Sequence, residues 1–528
     1  MRHSLCALLL ALPTYGAAQT GDLSSFDWRD PASAAQLGTI GTPIANGSVS
    51  GQLSGQITGQ ITGQITGQIT GHTLSEITVS PLSSNDTDSV GLLPPSATGF
   101  PVSLWRQSSV ADLDQILRVI APPKHAAIQG LFFNLLLAEA DRPSAAMNTP
   151  QDGSFLELRI QKLIELGAID PAFALLERAA PVPPSLVPLL FDVTLLAPNI
   201  GPACPQILGL PSDGKQDAAR VFCFARKGDW LTATLVLDIA QALGTIRPQT
   251  AALLHQFLET NAQDDVAAQL PPPAQVNPLE FRLFEAIGAP LPAELLPRAF
   301  SVADLSGDNG WKAQLHAAER LAETGAIADN TFLGIYTKYP PAASGGIWDR
   351  VRSFQKLDQA LQSRNVDIIG PALDQAWTHF RATNLKSQFA NIFAPALLES
   401  DLKGSDRIMA AKIIMLSRHY KRAVPMLGGQ DRFLAAIARS DFSGVSPHST
   451  LEQAIFAAFT QPRVPVSTQS LLAQGKLGEA ILTAIVKFEK GAQGDMQDLL
   501  ESLSTFLLVG LDDIACRAAI SIYLRAQH

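Results

Sequence analysis

Apolar residues recur at three- and four-residue spacing from Ser108 to the C-terminus. Pro and Gly punctuate this pattern every 10–18 residues, and no Asn-Gly or Asp-Gly flanked by alternating apolar residues marks a β-hairpin. These three features point to an all-α protein: an irregular α-solenoid of stacked helical hairpins, preceded by a disordered low-complexity N-terminal segment. The chain has 528 residues, 46% of them apolar and 16% charged, and a formal net charge of −9. That length can bury a large core. The acidic balance argues against nucleic acid, which demands clustered Lys and Arg. No run of about 18 uninterrupted apolar residues is present to span a bilayer.

The first element, residues 1–18, reads as a signal peptide. Arg2 and His3 precede the apolar run Leu5–Leu12, and the small residues Gly16, Ala17 and Ala18 set an expected cleavage before Gln19. Cys6 sits inside the apolar run rather than at its end, which argues against a lipid anchor. The expected location is periplasmic or secreted.

Residues 19–102 read as a linker. The 76 residues between Arg29 and Arg106 contain no Lys or Arg. Gly-Gln-Leu-Ser at 51–54 is followed by four copies of Gly-Gln-Ile-Thr over 55–70. Gly at every fourth position opposes helix by about 1 kcal/mol each. Ahead of the repeat, Phe26 and Trp28 lie in a polar stretch and are candidate partner-docking residues.

Residues 103–528 read as the helical domain, with a candidate break near 340–346. Ser108 or Ser109 caps a helix over 110–120, with Leu113, Ile116, Leu117 and Ile120 on one face and Asp residues in its first turn. Pro122-Pro123 ends it. A very apolar helix follows over about 126–140, flanked by His125 and Glu139. Later helices are expected to be punctuated by Pro181, Pro183-Pro184, Pro271 to Pro273, Pro340-Pro341, Pro371, Pro395, Pro447 and Pro465.

One turn recurs. Gly167-Ala-Ile169-Asp-Pro-Ala172 shares its frame with Gly228-Asp-Trp230-Leu-Thr-Ala233 and Gly475-Lys-Leu477-Gly-Glu-Ala480. Gly325 to Asn330 lacks the Ala, and Arg418 to Ala423 lacks the Gly. An apolar residue precedes each: Leu163, Phe224, Leu471, Leu321 and Ile414. Gly would take the left-handed cap, the apolar residue two positions on would plug the hairpin, and Ala would let the second helix approach. A hairpin of this kind leaves one apolar face for a neighbour to cover.

These frames resemble the tetratricopeptide-repeat class of α-solenoid, in degenerate form; Ile160 to Glu177 is the closest stretch. Successive turns lie 61, 97, 93 and 57 residues apart, without the family's fixed period. The resemblance covers about a third of the chain and implies a protein-binding scaffold without catalytic residues. The arrangement of export signal, low-complexity segment and helices also resembles uncharacterised exported proteins of Gram-negative bacteria.

Catalytic and metal-binding patterns are sparse. No phosphate loop, GxGxxG, HExxH or GxSxG occurs, and no two His residues stand at i, i+4. Asp304 to Gly310 begins like a calcium loop, but Asn309 replaces the turn Gly and Leu315 the bidentate Glu. Asp264-Asp265 and Asp512-Asp513 precede helices and suit their dipoles. Trp348, Trp377, Phe389 and Phe393 are expected in the core. Basic residues gather near Lys338 to Arg364 and at Lys412, Arg418, Lys421 and Arg422. Cys204 and Cys223 are the candidate disulfide in an oxidising compartment. No metal or cofactor is expected. The expected function is a non-catalytic, protein-binding scaffold of the cell envelope. Its partners would be other envelope proteins, with peptidoglycan or another anionic glycan as a further candidate. One alternative is a cell-wall-acting enzyme with a carboxylate site. A second is a structural or ice-binding surface built from the repeat.

Overall fold

The computed structural model describes residues 86–144, 154–197, 200–259, 270–306 and 309–526. The segment expected to be a signal peptide, the Gly-Gln-Ile-Thr repeat, Phe26, Trp28 and Asp264-Asp265 lie outside them. Among the described residues the regular structure is helical: 25 α-helices, short 3-10 turns and one isolated bridge between Leu93 and Ala138.

The first helices form for the reasons their sequences give. The Ser109 hydroxyl accepts the Asp112 N–H at 3.0 Å and starts Val110–Val119, whose Leu113 and Leu117 are buried. Ala126–Leu137 is apolar on every side and correspondingly buried, with Ile128, Phe132 and Leu135 wholly enclosed. It stops three residues short of the expected Ala140. The Leu92 and Leu93 N–H groups both donate to the Leu137 carbonyl (2.9 and 3.0 Å), and the Glu139 N–H donates to Leu93 (2.8 Å).

Residues 86–102 are therefore part of the folded body, which corrects their assignment to the linker. Asp88 is buried and accepts the Leu156 N–H at 2.7 Å. The buried Arg159 guanidinium donates to the carbonyls of Leu136 (2.7 Å), Val90 (2.6 Å) and Ala138 (3.2 Å), fastening this segment to Ala126–Leu137. Burial pushes Arg159 down to about 10, against the raising effect of nearby Asp88.

All five recurring turns join consecutive helices. In four of them the glycine N–H bonds back three residues and the next N–H bonds back five. The five-back acceptors are the carbonyls of Leu163, Phe224, Leu321 and Leu471, at 2.8–2.9 Å. This double bond is the Schellman closure of a helix C-terminus. Residues around Gly244, Gly288 and Gly510 close helices the same way, at places where the sequence frame is absent. The Arg418 turn lacks the glycine and solves its ending differently, with the Asn391 side chain accepting the Arg418 N–H at 3.2 Å. Ala172, Ala233, Ala480 and Ala423 are fully buried, as are Ile169 and Tyr420, whereas Trp230 is 42% exposed.

Pro371 and Pro395 lie inside helices, Val366–Phe380 and Lys386–Glu399, rather than between them. Each removes one backbone hydrogen bond. Packing outweighs that loss, because Leu373, Trp377, Phe389 and Phe393 on these helices are buried in an aromatic cluster around Phe354 and Phe380.

Helices adjacent in sequence pack as neighbours, but long-range pairings fold the array back on itself. Asp329–Thr337 meets Lys386–Glu399, and Val187–Leu196 meets Pro278–Ala286. At the ends, Leu477–Gly491 packs on Val110–Val119, and Asp512–Ala526 packs on Ala126–Leu137. The loop 340–346 joins helices that remain in contact, and the core continues across it. Cys204 and Cys223 form a disulfide between Cys204–Gly209 and Asp217–Arg226, with Cα atoms 5.2 Å apart.

Gly167 has φ +82°, and a Cβ there would lie 2.6 Å from Leu321 Cδ2; Gly228 has φ +84° with nothing within 4 Å. Gly228→Ala is expected to cost about 1–2 kcal/mol from backbone strain alone. Gly167→Ala should cost roughly 2–4 kcal/mol, because overpacking adds to the same strain. Urea midpoints of the two variants measure the difference; equal losses would show that Leu321 simply moves aside.

Candidate functional site

A cavity of about 690 Å³ opens where several helices from distant parts of the chain meet. Lys124 and His125 immediately precede Ala126–Leu137, and Trp377 and Arg381 come from the end of Val366–Phe380. Lys386 is the first residue of Lys386–Glu399, and Ser521, Leu524 and Arg525 lie in the last turns of Asp512–Ala526. Ile408, Met409 and Lys412 add a further wall from Gly404–Ile414.

The lining holds five cations against one carboxylate, Asp374. Lys412 is paired with Asp431 at 3.0 Å. The side chains of Lys124, Arg381, Lys386 and Arg525 form no salt bridge among the described residues, although Glu489, half-buried and outside the lining, interacts electrostatically with Lys124 and Arg525. Two of the helices point N-termini toward this region, and neither has an acidic residue in its first turn. Those two dipoles add to the positive potential, while the C-terminal ends of Val366–Phe380 and Asp512–Ala526, beside Arg381 and Arg525, oppose it. Burial, then Arg525, pushes Lys386 below the usual lysine value.

His125 is the buried member of the group. Its Nδ1 lies 2.8 Å from Ser521 Oγ, its ring meets Phe488 edge-on at 5.3 Å, and its Nε2 has no hydrogen-bond partner among the described residues. Burial first, then Arg525, Lys386 and Lys124, push it down to about 4. The imidazole is therefore neutral near pH 7, so the positive charge of the lining comes from its Lys and Arg side chains.

Most of the basic residues that stand together in sequence are occupied elsewhere. Arg350 grips Glu319 with two bonds of 2.7 Å, and Tyr336 donates to the same carboxylate. Arg352 pairs with Asp349 at 2.6 Å and Arg418 with Asp329 at 3.0 Å. Of these sequence clusters only Lys412 reaches the cavity. Lys124, Arg381, Lys386 and Arg525 carry no local signal in the sequence, because each is a lone cation in its own segment.

A second cavity, about 340 Å³, holds Glu294, Asp304, Lys312, His316 and Arg320. Burial raises Asp304, while the Asn309 amide donates to it at 2.7 Å. The two carboxyls there face two cations, so the site is balanced in charge where the first is not. Asp192, pushed up to about 7 by burial, lines neither cavity. No group of three or more His, Cys, Asp or Glu suited to a metal occurs among the described residues.

One helix also presents an apolar outer edge. On Trp230–Leu243, Leu231, Leu235, Ile239 and Leu243 repeat at every fourth position and are 50–83% exposed, while Ala233, Leu237 and Ala240 face the core. Trp230, expected as a hairpin plug, instead tilts over Phe257 with ring centres 6.4 Å apart and extends this edge. The sequence shows the i, i+4 spacing but not which side it faces, because both sides of this helix are apolar.

Comparison with protein-family models, curated proteins and solved structures finds no match to this chain.

Because the folded pKa of His125 lies below the ordinary 6.5, the unfolded chain takes the proton first as pH falls. The fold is unaffected above pH 6.5 and is weakened as pH drops from 6.5 through 4, by roughly 3 kcal/mol at full protonation. Thermal melts across this window should show wild type losing stability more steeply than His125→Gln. Parallel curves would show that His125 takes up its proton equally in the folded and unfolded states.

Proposed function

We propose that the chain is a non-catalytic scaffold of the cell envelope that holds protein partners. The observation that carries this reading is the ridge on Trp230–Leu243. An exposed apolar stripe of this length on one helix is the kind of surface that marks protein–protein contact, and its four-residue spacing makes a ridge that fits the groove of a partner helix. The hairpin turns support the same reading, since helical-hairpin arrays characteristically present surfaces to other proteins. A periplasmic or secreted location is supported by the signal-like N-terminus and by the Cys204–Cys223 bridge, which suits an oxidising compartment. No described helix is long and apolar enough to cross a membrane. The rival reading, a cell-wall-acting enzyme, would draw on Asp304 and Glu294 in the second cavity.

The test is crosslinking in cells from a probe placed beside the ridge, followed by mass spectrometry. Envelope proteins should be recovered from wild type and lost with Leu231→Asp/Leu235→Asp. The substitutions are at exposed positions and should each change stability by only about 0.5 kcal/mol. Recovery of no envelope protein from wild type, or the same set from the variant, overturns the reading. Loss of wall-hydrolysing activity on Asp304→Asn would favour the enzyme instead.

A further inference from the structure

We propose that the 690 Å³ cavity is a binding site for a phosphomonoester with an apolar organic part. The ligand class is an inference additional to the scaffold reading, and the two rest on different surfaces.

The charge count comes first. Lys124, Lys386 and Arg525 all act on the one imidazole of His125, so they converge on a small region. Among the described residues none of the three forms a salt bridge; Glu489, outside the lining, attracts Lys124 and Arg525, and Lys386 has no such neighbour. Asp374 in the lining and Glu489 behind it offset part of the charge, and a carboxylate ligand would supply only one further negative charge. A phosphomonoester carries about −1.5 to −2 near neutral pH and offers three strong acceptor oxygens. It can therefore meet several donors at once with charge-assisted hydrogen bonds.

The buried donors and acceptors point the same way. His125 is 4% exposed with an unpartnered Nε2, and Ser521, Thr383, Asn384 and Ser387 line the same cavity. Two helix N-termini, on Ala126–Leu137 and Lys386–Glu399, lie beside these groups without acidic residues in their first turns. Helix N-termini of this length are suited to phosphate oxygens, and here they accompany a buried imidazole nitrogen without a partner and the cations Lys386 and Arg381, which form no salt bridge among the described residues.

The remaining lining selects against inorganic phosphate alone. Trp377, Ile408, Met409, Leu416 and Leu524 give the cavity a hydrocarbon face. Its volume falls within the roughly 300–1,000 Å³ typical of small-molecule sites. A bare ion would leave that face wet, whereas an alkyl or other apolar substituent would cover it and gain from its burial.

The experiment is isothermal titration calorimetry on the purified full chain at about pH 7.5, where the phosphomonoester is mostly dianionic. The probes are dodecyl phosphate below its micelle threshold, dodecanoate and inorganic phosphate. Dodecyl phosphate should bind, and both dodecanoate and inorganic phosphate should bind at least about tenfold more weakly. Lys386→Gln/Arg525→Gln should weaken dodecyl phosphate more than about tenfold, while Lys356→Gln, an exposed lysine away from the cavity, should not. Lys124→Gln serves as a second, exposed variant if the double substitution melts early. Absence of dodecyl phosphate binding, equal affinity for dodecanoate, equal affinity for inorganic phosphate, or full binding by the cavity variants each overturns the proposal. These outcomes are separable from the scaffold test, because neither the ridge nor its crosslinks involve cavity residues.

Discussion

Trp105 occupies the notch that Gly478 leaves in the last part of the chain. A Cβ at Gly478 would lie 2.1 Å from the indole, and the Gly478 N–H donates to the Leu104 carbonyl at 3.3 Å. Trp105 also packs edge-on against Phe155, with ring centres 5.4 Å apart. Its indole N–H has no partner among the described residues, so this contact is held by close packing and not by polar satisfaction. Much of the architecture follows from it. With the two ends joined here, Asp512–Ala526 can lie on Ala126–Leu137, and Lys124, His125, Ser521 and Arg525 can share one cavity. Joining distant chain ends is entropically cheap for its length, since each doubling of a loop adds only about 0.6 kcal/mol. A few well-packed aromatic contacts suffice to hold the seam.

What could be read from sequence was local. Helix caps, the four Schellman turns and the buried alanines depend on residues within about six positions of one another, and their chemistry is written in those positions. The segment 86–102 was hidden because its order comes from elsewhere: Asp88 caps a backbone N–H at Leu156, and Arg159 reaches back to Val90. Read alone, Thr87 to Gly99 is a polar, proline-bearing stretch with no period. Pro371 and Pro395 misled for the converse reason. A proline argues against helix continuation only when nothing else stabilises the turn, and here aromatic packing does.

The cavity shows the same limit in electrostatic form. Sequence clusters of basic residues looked like the candidates for an anionic partner, yet Arg350, Arg352 and Arg418 each meet a carboxylate. Surface charge patterns along a chain mostly record such local neutralisation. The cations that remain unneutralised are single residues brought together by tertiary structure. On a protein of net charge −9 they create a local field opposite in sign to the whole, which confines attraction for an anion to one mouth.

Lys124 and Lys386 at helix N-termini, beside a histidine forced neutral by burial, are a standing electrostatic cost to the fold. Stability alone would favour a paired carboxylate beside Lys386, as occurs at Lys487 between Asp498 and Glu501. Local departures of this sort are expected where a site is kept ready for something absent from the bare chain. Position matters as much as charge. The cavity is built from segments that meet only when the chain is closed, so an anion bound there stabilises the closed arrangement in proportion to its occupancy. Closure in turn brings Lys124 and Arg525 to the same ligand. The seam at Trp105 and the cations beside His125 are thus two halves of one linkage: each makes the other less costly when an anion is bound.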